Sequence, residues 1–166
     1  MRFYFFGYPS GDIYPDELIY LAEGLVELGH EVFCNRDIWR ISPESNKFLL
    51  PHDPSVEVPS ADVVIVSSQY LCYIDPLNFR VSENPVPDQF FQRSREKQKW
   101  ILCDAHDGWR TVSWYSEIRN FDFCLRTKLN QRIQYPDNLL PWILGFTDRV
   151  DRMSQSALPF TERKSA

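Results

Sequence analysis

Apolar positions along this chain follow two periods, and their alternation predicts the architecture. Residues 2–6 (RFYFF) form a short run of strand character, and GYPSGD then supplies the glycine, proline and serine of a loop. From Pro15 to Leu28 the period becomes helical: Leu18, Leu21, Leu25 and Leu28 recur at three- and four-residue spacing around Ala22. Pro15 suits a first helical turn, Asp16 and Glu17 favour the positive end of the helix dipole, and Gly29 stops it. EVFCN (31–35) reads as a second strand, which makes a strand–helix–strand unit with a right-handed crossover. Residues 36–60 carry Pro43, Pro51, Pro54 and Pro59 and predict an extended, irregular connection. ADVVIVSS (61–68) is apolar on both faces, as a central parallel strand must be.

Beyond it, residues 69–87 predict a long loop and 87–99 a surface helix opened by proline and aspartate. KWILCD (99–104) is the next strand, and WRTVSWYSEI (109–118) a short helix or aromatic-rich loop. FDFCLRTKL (121–129) predicts a strand, 130–142 a polar connection, ILGF (143–146) a last short strand and RVDRMSQSA (149–157) a closing helix. Strands alternating with helices specify an α/β protein with a doubly wound parallel sheet, a three-layer α/β/α arrangement within one domain over 1–166.

Length and composition narrow the function classes. At 166 residues, 43% apolar and 15% aromatic, the chain is long enough for one packed domain. A net charge of -5 argues against nucleic acid as a partner and gives no electrostatic route to an anionic membrane, leaving at most peripheral association. Cys34, Cys72, Cys103 and Cys124 form no CxxC pair, so zinc is not indicated; reduced thiols and a cytoplasmic location are expected. The apolar run after Arg2 is too short for a signal peptide. No window approaches the roughly 20 apolar residues of a membrane span.

Candidate chemistry collects after the strands, where open α/β sheets bind ligands. ILCDAHDG (101–108) runs from a strand into Asp104, His106 and Asp107. A carboxylate or imidazole there can take a proton from a hydroxyl, and an adjacent carboxylate can orient the imidazole. The same residues also read as a strand end and an Asp-Gly turn. The first loop, Gly7, Tyr8, Pro9, Ser10, Gly11 and Asp12, departs from G-x-G-x-x-G, so dinucleotide binding is not expected; Gly7 and Gly11 would admit a ligand to the backbone and Asp12 would bind a hydroxyl. Ser67, Ser68 and Gln69 follow the 61–68 strand and face the same edge. Arg126 and Lys128 follow the 121–129 strand and suit a phosphate, a partner or solvent. Trp109, Trp114 and Tyr115 suit a sugar platform or the core. His30, at the amino end of a strand, and His52, in a proline-flanked loop, read as structural. No G-x-S-x-G elbow is present.

Two stretches resemble a known family. RFYFFGYPSGDIYPDELIYLAEGLVELGHEVF, with its Leu28-Gly29-His30-Glu31-Val32 turn, resembles the opening of GT-B glycosyltransferases. FDFCLRTKLNQRIQYPDNLLPWILGF resembles a segment of the bacterial envelope-polysaccharide members, in which a pair like Arg126 and Lys128 precedes YP-x-N and an apolar strand ending in glycine. The resemblance implies a Rossmann-like N-terminal half that binds the acceptor, a carbohydrate or lipid-linked sugar. The nucleotide-sugar donor would bind mainly in a C-terminal domain that this chain lacks, and no metal or other cofactor is expected. It places Asp104, His106 and Asp107 near the acceptor, with Gly7, Tyr8, Ser10, Gly11, Asp12, Ser68, Gln69, Arg126 and Lys128 as binding residues. The isolated domain is then expected to be inactive. Two other readings stay open: a flavodoxin-like binding or signalling module, and a non-catalytic partner that completes a transferase in trans.

Overall fold

The computed structural model describes residues 1–7, 16–42, 44–74, 81–83, 86–104, 120–127, 129, 132 and 134–142. In chain order these form β1 (Arg2–Phe6), α1 (Asp16–Glu27), β2 (Glu31–Cys34), β3 (Ile38–Arg40), β4 (Phe48–Leu50), a single 3-10 turn at Val58–Ser60 and β5 (Val63–Ser67). There follow α2 (Ser68–Leu71), β6 (Cys72–Ile74), β7 (Val81–Glu83), α3 (Gln89–Gln92), β8 (Lys99–Asp104), β9 (Phe123–Arg126) and β10 (Leu139–Pro141). Six strands make one parallel sheet in the order β10-β9-β8-β5-β1-β2. The protein is therefore α/β with a parallel sheet. β2 is a margin of that sheet, and the two segments after it form a separate antiparallel ribbon, β3–β4.

The strand registers sort the core into two faces. Tyr4, Val64, Trp100, Leu102, Cys124 and Leu139 lie on one, and Phe3, Val32, Ile65, Ile101, Leu125 and Leu140 on the other. On the first face Val58, Leu71, Phe90 and Phe121 close over the strands, with Tyr70 and Tyr135 packed against them. Phe90 meets Trp100 edge-on at 5.3 Å, a favoured aromatic geometry. Burying such a side chain contributes roughly 1.5–3 kcal/mol. On the second face Leu18 and Ala22 of α1, with Ile38 and Leu50 of the ribbon, cover the β2, β1 and β5 part.

The start and stop of α1 follow its sequence closely. Gly29 adopts φ 78°, which costs a glycine little. The His30 amide then reaches Leu25 O at 3.0 Å and the Gly29 amide reaches Val26 O at 2.9 Å, the paired bonds of a Schellman C-cap. The His30 ring packs 5.3 Å from the Phe3 ring, at the amino end of β2.

Four expectations change. Residues 36–60 hold the β3–β4 ribbon, which includes Trp39 at φ 60°. The 69–87 stretch holds α2 and the β6–β7 ribbon. The helix expected over 87–99 is a single turn at Gln89–Gln92. Between Phe91 and Trp100 the chain offers no apolar residue for a longer helix to bury, and a short helix without packing is unstable. The chain instead bends at Ser94, which accepts from the amides of Lys97 and Gln98 at 3.1 and 2.9 Å. Finally, a sixth strand lies at Leu139–Pro141, inside the expected polar connection. The strand expected at 143–146, the helix at 149–157 and the 109–118 segment fall outside the described residues.

Candidate functional site at the carboxyl edge of the sheet

Six parallel strands bring their carboxyl ends to one edge, and the chain returns from it in opposite directions on either side of β1 and β5. Open sheets bind ligands at such a reversal. Gly7 and Ser67–Ser68 stand at that point, Asp104 one strand further, and Arg126 beyond it.

Asp104 and Arg126 end neighbouring strands in direct register. They share a face with Trp100 and Cys124, so both side chains turn beneath the first-face layer. Arg126 Nη1 donates to Asp104 Oδ2 at 2.6 Å, and the two side chains are 2% and 3% exposed. Two charges withdrawn from water persist only when paired and hydrogen-bonded. The strand ends are fastened as well: Thr127 N–H donates to Asp104 O at 3.2 Å and Trp142 N–H to Arg126 O at 2.9 Å. The pair thus fixes where the chain leaves β8, and His106 and Asp107 follow within three residues. Burial raises the Cys124 thiol to about 12, and the Asp104 carboxylate adds to that rise.

A second polar grouping lies at the ends of β1 and β2. Gly7 N–H donates to Asn35 Oδ1 at 2.9 Å, and Cys34 Sγ lies 3.2 Å from the same oxygen. A Cβ on Gly7 would come within 2.5 Å of Ile38 Cδ1, so glycine here admits the ribbon. His52 Nδ1 lies 3.1 Å from Cys34 O, and its backbone N–H donates to Asp37 Oδ1 at 2.8 Å. A carbonyl partner requires Nδ1 to carry the proton, which leaves Nε2 of the neutral ring as the acceptor. Sequence reasoning missed His52 because only the β3–β4 ribbon carries residue 52 back to this edge.

Of the candidate residues, Asp104, Arg126, Gly7 and Ser68 therefore sit along one edge, the first two in contact. Ser68 is fully buried at the start of α2. Gln69 begins the same turn, and its side chain lies outside the description. Tyr8, Ser10, Gly11, Asp12, His106, Asp107 and Lys128 lie outside the described residues, as do Trp109, Trp114 and Tyr115. Among the described residues no group of three or more His, Cys, Asp or Glu is placed to hold a metal. Cys34, Cys103 and Cys124 are free and buried. An open cavity of about 580 Å³ lies at the opposite edge, where Gln134, Tyr135, Pro136, Asp137 and Asn138 lead into β10. Its lining residue Asn138 accepts from the Cys124 N–H at 2.8 Å, two residues before Arg126.

No helix among the described residues is long and apolar enough to cross a membrane. Comparison with protein-family models, curated proteins and solved structures finds no match.

Proposed function

We propose that this chain is the Rossmann-like, acceptor-side half of a GT-B glycosyltransferase of envelope polysaccharide synthesis. The observation that carries the reading is the alignment of Gly7, Ser68, Asp104 and Arg126 along one carboxyl edge. The two stretches that resemble the family supply Gly7 and Arg126 among these residues. In this reading Asp104 and Arg126 are positioning residues. They hold the root of the loop from which His106 or Asp107 takes the proton of an acceptor hydroxyl. That oxygen bonds to the anomeric carbon of the donor sugar as the carbon–phosphate-oxygen bond breaks, and the nucleotide leaves with the bonding pair. Tyr8, Ser10, Gly11, Asp12, Gln69 and Lys128 would line the acceptor side, and a second domain would hold the nucleotide sugar. No metal is assigned a role.

The test is ligand-observed NMR against oligosaccharide acceptors and sugar nucleotides. Acceptor binding that is lost in His106→Ala and Asp12→Ala, without turnover of any sugar nucleotide by this chain alone, is the expected result. No acceptor binding, or turnover by the chain alone, sinks the proposal.

One observation favours a second reading. Counted along the main sheet, the strands run 2-1-3-4-5-6, and a sheet reversing beside its first strand in this way is the flavodoxin-like order. A binding or signalling module of that type would take a flavin mononucleotide or magnesium at the β1–β5 edge, and titration with each separates it from the transferase half.

A further inference from the structure

The end of β2 carries two side chains whose orientation is settled by backbone groups and whose outer polar atoms are unused. Asn35 N–H donates to Phe5 O at 3.0 Å, which ties the residue to β1. Its Oδ1 accepts from Gly7 N–H at 2.9 Å. An amide oxygen held in this way turns the two N–H groups of its nitrogen elsewhere. His52 is fastened to the same strand end from the ribbon. Cys34 N–H donates to Pro51 O at 2.9 Å, and His52 N–H donates to Asp37 Oδ1 at 2.8 Å. The ring completes the staple, with Nδ1 at 3.1 Å from Cys34 O.

Among the described residues neither Asn35 Nδ2 nor His52 Nε2 has a hydrogen-bond partner. Asn35 is half-buried with its outer nitrogen reaching solvent, and His52 is exposed. The anchors of both side chains belong to the main chain or to β1 and β2, so binding need not order either of them.

A fixed donor therefore stands beside a fixed acceptor at the end of one strand. A hydroxyl group both donates and accepts, so neighbouring hydroxyls use the two atoms together. A carbonyl compound would use only the amide, and an ammonium group only the imidazole. Gly7, where the chain leaves β1, puts the pair on the carboxyl edge next to the reversal at β1 and β5.

We propose that Asn35 and His52 form a pyranoside subsite of this edge, in which Asn35 Nδ2 donates to one sugar hydroxyl and His52 Nε2 accepts from its neighbour. The subsite deepens the acceptor-side reading and rests on it. It assigns sugar contacts to the β2 end of the edge, two strands away from β8.

Protein-observed NMR of the full chain tests this, with the methyl glycosides of glucose, galactose, mannose and N-acetylglucosamine as probes. In the free protein the imidazole proton is expected on Nδ1. A glycoside that binds should shift both the Asn35 side-chain amide and His52 Nε2. Two near-isosteric variants separate recognition from folding. His52→Asn places an amide N–H where Nδ1 stood, which keeps the bond to Cys34 O and removes the acceptor. Asn35→Asp keeps the oxygen that Gly7 needs and removes the donor. Each should weaken glycoside binding by roughly 3–10-fold, the loss of one neutral hydrogen bond, with the backbone spectrum retained. A proton on Nε2, glycosides that bind without moving these two resonances, or unchanged affinity in either variant would overturn the subsite and leave the acceptor-side reading standing. Binding of no glycoside at all would overturn both.

Discussion

At its β8–β10 end the sheet presents two faces of similar strand chemistry and opposite fates. One is shut by segments that arrive between the strands, and it buries an ion pair among aromatic side chains. The other alternates Lys99, Ile101 and Cys103 on β8 with Phe123 and Leu125 on β9, and leaves half of Phe123 in solvent. The difference does not lie in hydrophobicity, since both faces present apolar strand residues. Connections that step in one direction across a sheet favour one side of it, and among the described residues α1 and the β3–β4 ribbon cover the second face only over β2, β1 and β5.

The comparison is most sharply broken on the closed face. Arg126→Met takes the guanidinium away from a buried carboxylate and should cost about 3–5 kcal/mol. Combining it with Asp104→Leu should recover most of that loss, and urea unfolding of the three variants decides the matter. Equal losses in the single and double variants would mean that shape, not charge, governs the site.

Alkaline pH probes the buried thiols on both faces. Burial raises Cys34 to about 11 and Cys124 to about 12, against an ordinary value of 9.0. Below pH 9 the folded and unfolded thiols are both protonated, and nothing is lost. Above it the unfolded thiols ionise first, so the unfolded state binds fewer protons and stability falls as pH rises toward the folded values. For Cys34 alone the fall amounts to about 2–3 kcal/mol by about pH 11. The urea midpoint should drop between about pH 8 and about pH 10.5, and drop less in Cys34→Ala. An unchanged midpoint would mean that these thiols reach solvent.

Under α1 the second face is tight as well. Gly7→Ala drives a methyl against Ile38 and should cost about 1–3 kcal/mol, and Ile38→Val, which removes the clashing carbon, should return part of it when the two are combined. The smallest effect belongs to the uncovered part. Lys99 is 48% exposed and lies 3.7 Å from Asp122 Oδ1, and Lys99→Met should shift stability by no more than about 0.5 kcal/mol in thermal melts.

Legibility in the sequence followed the same division. β1, β2, β5 and β8 are long apolar runs, and α1 carries both its period and its glycine stop, so local patterning sufficed. β3, β4, β6, β7 and β10 have three residues each, too few for a period to register, and they exist because a neighbouring strand or fold of chain was there to pair with. Gln98 looked like one more surface residue in a polar stretch. It is buried, with Nε2 donating to Val58 O and Ala61 O at 2.8 and 2.9 Å and Oε1 accepting from Trp100 Nε1 at 2.7 Å.

At the candidate site, Asp104 was visible as a strand end and Arg126 as a basic group after a strand. Their union was not, because strand register creates it across 22 residues of chain. A signal was present: ILCD and FCLR each run from apolar residues straight into a charge, of opposite sign, where a buried strand would otherwise strand that charge. His52 had no such signal.

The margins of the sheet carry a consequence for self-association. An open parallel sheet offers a ladder of unpaired amides at each border, the usual template for edge-to-edge aggregation. Here one border is only Leu139–Pro141, and its proline has no N–H to offer. At the other, the Cys34 N–H is already taken by Pro51 O at 2.9 Å. At these two positions a neighbouring molecule therefore finds no amide ready to extend the sheet.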